Sequence, residues 1–250
     1  MKKLFVYILS TFILNSYISL QLYCQKGNDL SGFTDLFNGL DFTNWIVPEG
    51  DNGHWKILDG VIDYDAESEA PGDKHLLTEK EYKDFILFVD WRIKETPYKH
   101  PRTRIILPTG MDKLDEKGKV INITVPSSDS GILLRGTSKT QVNIWCWPVG
   151  SGELWGFRTD ESMPAEVRKA VTPKYNADKN IGEWNTFKII LKGNILKVEL
   201  NGHVVIEDAE LPGLPEKGQI GLQHHGKKKD GAWVGSPSLV QFRNIYIKEL

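Results

Sequence analysis

The chain has 250 residues, 40% hydrophobic and 26% charged, enough to bury one sizeable core. Its formal net charge is -2 with a pI near 6.3, so it carries no basic field that would recruit nucleic acid. Cys24 and Cys146 are the only cysteines, too few for a disulfide framework, and stability has to come from packing.

The amino terminus, MKKLFVYILSTFILNS, sets Lys2 and Lys3 before an apolar run over residues 4–14. This is the layout of a secretory signal peptide, and the run falls short of the about 20 apolar residues that span a bilayer. Residues 1–25 are therefore expected to be removed, leaving an exported protein, periplasmic or secreted, with no membrane span. Cys24 raises lipid attachment as an alternative, against which stands the bulk of Tyr23 where a small residue is wanted.

FTDLFNGLDFTNWIV opens the domain with a short apolar segment, the turn Asn38-Gly39 and Trp45. His54-Trp55-Lys56-Ile57-Leu58 and Val61-Ile62-Asp63-Tyr64 flank Asp59-Gly60, which supplies the positive φ of a tight hairpin turn. The longest strand candidate, DFILFVDWRIK at 84–94, places Phe85, Leu87, Val89, Trp91 and Ile93 on one face. Its other face turns polar at Asp90 and Arg92, as if passing from a covering layer into an open groove. Residues 95–129 read as an insertion with short strands at 104–107 and 120–125, a loop of the size that often walls a site.

Along 140–147, Val142, Ile144 and Cys146 point one way while Gln141, Asn143, Trp145 and Trp147 point the other. Amides interleaved with indoles combine hydrogen-bonding groups with flat apolar plates, which suits a sugar ring. The same indoles would equally well cover a second hydrophobic layer. A short helix is expected within 161–171, with Pro164 in its first turn. A three-stranded meander over 184–206 follows, with turns at Gly193-Asn194 and Asn201-Gly202, then strands at 219–225 and near 240–248. Many short strands and almost no helix predict an all-β sandwich of antiparallel sheets, one domain over 31–250.

Several stretches, in order, carry a resemblance: FTDLFNGLDFTNW, W-x-I-x-D-G-V-I, Y-x-D-F-x-L-x-V-D-W-R-I, S-G-I-x-L-R-G, G-E-W-N, L-N-G, G-x-I-G-L-Q-x-H-G and F-R-N-I-x-I-K-E-L. Together they resemble the secreted bacterial 3-keto-disaccharide hydrolase family across almost the whole chain after residue 31. The resemblance implies a concanavalin-like jelly roll and a carbohydrate partner. It also implies cleavage of glucosides whose 3-hydroxyl is oxidised to a ketone, by hydrolysis or by elimination followed by hydration. Two departures stand out: Thr140-Gln141-Val142-Asn143 then Trp-Cys-Trp-Pro, where many members carry a Glu-x-Gln type sequence, and the insertion.

A ketone at C3 acidifies the hydrogen at C2, so the reaction needs a base, a group to hold the enolate oxygen and an acid for the leaving group. His225 is the expected base, lifted above an ordinary structural histidine by the family match, with His224 pointing to the other face. Glu153, beside glycines, is the expected acid or second base, with Asp160 as a further carboxylate. Arg135 and Arg92 are candidates for the oxygen, Arg92 and Asp90 otherwise forming a plain ion pair. Gln141, Asn143 and Trp145 would hold the sugar, with His54 at the rim. No cofactor is required by any motif; no zinc spacing occurs, and calcium through carboxylates and carbonyls stays open. The non-enzymatic alternative is a carbohydrate-binding module, which needs only the groove and its aromatics.

Overall fold

Period-two alternation becomes strand in seventeen segments of Thr34–Leu250, one of the two units into which the chain divides, the other being Met1–Phe33. The computed structural model describes residues 30–250; the expected signal peptide and Cys24 lie outside them. Of the first unit only a turn is described, closed by the Phe33 N–H on the Leu30 carbonyl at 3.0 Å.

The first strands are β1 (Thr34–Asp35), β2 (Trp45–Ile46), β3 (Trp55–Leu58), β4 (Val61–Tyr64), β5 (Leu76–Tyr82) and β6 (Phe85–Ile93). The insertion supplies β7 (Tyr98–Arg104) and β8 (Asn122–Ser127), followed by β9 (Asp129–Leu134) and β10 (Thr137–Trp145). Two short helices come next, α1 (Trp155–Arg158) and α2 (Ala165–Ala170). The chain closes with β11 (Asn185–Lys192), β12 (Ile195–Leu200), β13 (His203–Glu210), β14 (Gly218–Leu222), β15 (Lys228–Lys229), β16 (Ala232–Trp233) and β17 (Val240–Glu249).

One sheet runs β13-β12-β11-β6-β17-β4-β3, with β1 also on β17; the second runs β10-β9-β14-β5-β2. Every ladder between these strands is antiparallel, as expected for the sandwich. The inner faces meet in a core where Trp91, Phe187, Phe242, Ile132, Val142 and Leu222 are all buried. Burying an aliphatic or aromatic side chain contributes about 1.5–3 kcal/mol, whereas an exposed ion pair contributes about 0–1. The two sheet interiors, not the many surface lysine–carboxylate pairs, therefore hold the sandwich together.

Three expectations need correction. The insertion pairs from its base, Tyr98 opposite Ser127, and beyond Arg104 only isolated bridges join Ile106 to Asp112 and Leu114 to Val120. Pro108 and Gly110 bend the chain there, so the apolar run at 104–107 does not make a ladder. The helix at 161–171 begins only after Pro164, and α1 precedes it. Finally, β6 lies between β11 and β17 in the middle of the larger sheet, so its polar face is that sheet's outer surface rather than a groove.

Candidate functional site

The outer face of the five-stranded sheet carries a cleft of about 680 Å³. Its floor follows from register. Asn143 pairs with Gly131 and Trp145 with Asp129 across the β9–β10 ladder, and directly paired residues share a face. Gly131 leaves room for Gln141 to lie across β9, since a Cβ there would sit 2.5 Å from the Gln141 side chain. From that position the Gln141 amide donates to Asn143 Oδ1 (2.7 Å), Gln223 Oε1 (2.7 Å) and the Ser130 carbonyl (3.2 Å). With their oxygens engaged, Asn143 and Gln223 have their NH2 groups left to donate into the cleft.

The walls come from elsewhere in the chain. Tyr98 and His100 of β7 stand on one side, and Trp155 and Gly156 of α1 on another. Gly156 is required there, because a Cβ would come within 2.8 Å of Lys139 backbone atoms. Trp145 and Trp147 stack in parallel with ring centres 4.5 Å apart, and His100 leans on Trp147. The Trp145 indole is buried and tied to the Gly150 carbonyl (2.7 Å), while Trp155 keeps half its surface exposed. Both readings of the indoles thus hold in part: Trp145 packs with Ile106 and Val149, and it still lines the cleft.

His225 follows β14 on the cleft face, exposed, with its backbone N–H on Ser238 Oγ. Its Nδ1 lies 2.6 Å from the Ser236 carbonyl oxygen, which can only accept, so Nδ1 carries a proton and in the neutral imidazole Nε2 is the atom that keeps a lone pair. Asp129 shares this end of the cleft. It is partly exposed but walled by protein, and that desolvation pushes its carboxyl up to about 6 against the opposing charge of His225. His224 takes the other face, as expected: it pairs with Tyr64 in the core (2.5 Å), and burial holds its imidazole down at about 4.

Of the residues singled out from sequence, Gln141, Asn143, Trp145, Trp147 and His225 meet in the cleft. The others do not line it. Arg135 follows β9 at the far end from Asp129, about 20 Å along the strand. There it is buried, donating to the Lys83 and Pro215 carbonyls and pairing with Asp84. Glu153 is wholly buried beside β10 and paired with Arg158 of α1; burial raises its carboxyl and the guanidinium opposes the rise. Asp90 and Arg92 sit on the opposite sheet and do not pair with each other. Asp90 accepts from Thr186 and Asn244, and Arg92 bonds Gln241 while stacking on Trp184. His54 is engaged by Asp65 at 2.9 Å in the other sheet's hairpin. Asp160 pairs with Lys139 at the cleft edge, and Lys139 with Ser162 holds its carboxyl down at about 2.

Sequence reasoning missed Asp129, Gln223, His100 and Trp155. Gln223 was within reach, two residues before His225 and so on the same face. Asp129 was not, because only the pairing of β9 with β10 and β14 brings it there. Among the described residues, no three His, Cys, Asp or Glu side chains gather to hold a metal. No helix among them is long and apolar enough to cross a membrane.

Fold and site together define an antiparallel β-sandwich of the jelly-roll type with an amide- and indole-lined cleft on the smaller sheet. The chain belongs to the family of 3-keto-alpha-glucoside-1,2-lyase-like domains, whose model matches residues 32–248, and so to a carbohydrate-active group of proteins. Two solved structures from Parabacteroides distasonis ATCC 8503, provisionally assigned as glycosyl hydrolases, share the fold. One is 21% identical over 88% of this chain and 84% of its own, with a TM-score of 0.57. The other is 21% identical over 88% and 94%, with a TM-score of 0.53. No curated protein matches the chain.

Proposed function

We propose that the cleft binds a glucoside bearing a ketone at C3 and cleaves its glycosidic bond by β-elimination, within an exported protein. One observation carries this reading: the free Nε2 of His225 and the raised carboxyl of Asp129 share one end of a cleft floored by oriented amides. A base and a proton donor in one cleft are the two groups that an elimination needs.

Nε2 of His225 takes the C2 proton, and the C2–H electrons move toward C3 as the ketone oxygen becomes an enolate. The NH2 groups of Asn143 and Gln223 stabilise that oxygen. The enolate then collapses, a C1–C2 double bond forms, and the bond from C1 to the leaving oxygen breaks as Asp129 gives that oxygen its proton. In a second step water adds at C1 and gives its proton to Asp129, while the protonated His225 delivers a proton to C2, which saturates the C1–C2 bond and restores both groups. The indoles of Trp147 and Trp155 offer faces for the ring.

Incubation with 3-keto-trehalose and 3-keto aryl glucosides in deuterated water tests the proposal. Release of the leaving group with deuterium at C2 of the product is expected, and His225→Ala should lower the rate about 10²–10⁴-fold. Absence of release by a protein whose circular dichroism is intact defeats it.

A further inference from the structure

A second hollow of about 420 Å³ lies beside the cleft and shares only Trp145 and Trp147 with it. Its lining holds polar groups that the fold leaves unanswered. Trp91 is 1% exposed, yet its indole N–H finds no acceptor. Asp178 accepts the Ser151 backbone N–H on Oδ2 (2.9 Å) while its buried Oδ1 finds no donor. A buried polar atom left unpaired costs about 1–3 kcal/mol, so a donor and an acceptor kept this way in one hollow point to an occupant that completes them. Burial also pushes the Asp178 carboxyl up to about 6.

The occupant's chemistry follows from the lining. The Asp178 carboxylate disfavours an anion, and the Lys179 ammonium on the same lining, held by the Trp184 carbonyl at 2.8 Å, disfavours a cation. Ile181 and the indoles present flat apolar surface, with Asn180 at the margin. A donor, an acceptor, an amide and an aromatic wall suit a neutral polyhydroxylated ring. The volume lies within the roughly 300–1,000 Å³ of ligand pockets. Resting on the cleft as the cleavage site, we infer that this hollow receives the second, uncleaved ring of a two-ring substrate, across the Trp145–Trp147 wall from the reacting ring.

The test reads binding rather than turnover. The indole N–H resonances of 15N-labelled protein are followed during titration with trehalose and, separately, with methyl glucoside, at up to tens of millimolar, the range of weak sugar binding. Trehalose should shift the Trp91 and Trp155 signals, and methyl glucoside that of Trp155 alone. Filling the hollow with Ile181→Trp, or removing the amide with Asn180→Ala, should raise the ratio of the trehalose Kd to the methyl glucoside Kd, about tenfold for the filled hollow. If trehalose moves Trp155 but leaves Trp91 still, or if Ile181→Trp leaves the ratio unchanged, the second subsite is wrong and the cleft reading stands. If Trp91 responds while 3-keto-glucosides stay intact, the subsite stands and the cleavage reading falls. Silence of both signals overturns the second subsite, and release from the 3-keto glucosides decides the cleavage reading.

Discussion

Asp129 links chemistry to stability. Its carboxyl titrates at about 6 in the folded protein against an ordinary value of 3.8. Between those values the unfolded chain releases its proton first, so this residue costs stability progressively as pH rises from about 4 to 6, and no more above that. Asp129→Asn removes the cost. We expect the variant to be more stable by about 1–2 kcal/mol at pH 7, after discounting for its partial exposure, and unchanged at pH 4. The same variant should lose turnover, because Asn has no proton to give. In the parent, turnover should fall as pH rises through about 6, where that proton is lost. Denaturation at the two pH values with a pH–rate profile checks both expectations; a variant that keeps its activity would remove Asp129 from the chemistry.

Strands β9 and β10 build the cleft floor through one missing side chain. Gly131 adopts no unusual backbone angle, so the argument for glycine is room: Gln141 occupies the place of its Cβ. Gly131→Ala should displace the Gln141 amide and, with it, the orientation of Asn143 and Gln223. The expected result is a cost of about 1–3 kcal/mol from overpacking together with weakened sugar binding, read by thermal unfolding and by titration. The pattern of β10, amides and indoles on one face and Val142 with Ile144 on the other, was legible in the sequence because alternation is a property of a single strand. The helix α1 over Glu153 was not: its Arg158 reaches a carboxylate five residues back only after the glycine-rich turn folds against β10.

That buried pair matters to the whole sandwich. Glu153→Ala leaves the Arg158 guanidinium buried without its partner and should destabilise the fold by about 3–5 kcal/mol, measured by chemical denaturation. Replacing both, Glu153→Leu with Arg158→Met, should cost much less, because no charge is then stranded. By itself the sequence determined the all-β class, the paired hairpins, the core face of each long strand and the family, since these depend on local alternation, turn residues and motifs in order. Only the tertiary structure decided which polar residues share a cleft. It placed Asp129 and His225 together by pairing β9 with β14, strands some ninety positions apart, and carried Arg135, Asp90 and Arg92 away. The physical reason is that side-chain alternation states which face a residue takes on its own strand, whereas strand order and the loops that cover each sheet arise from contacts between distant parts of the chain.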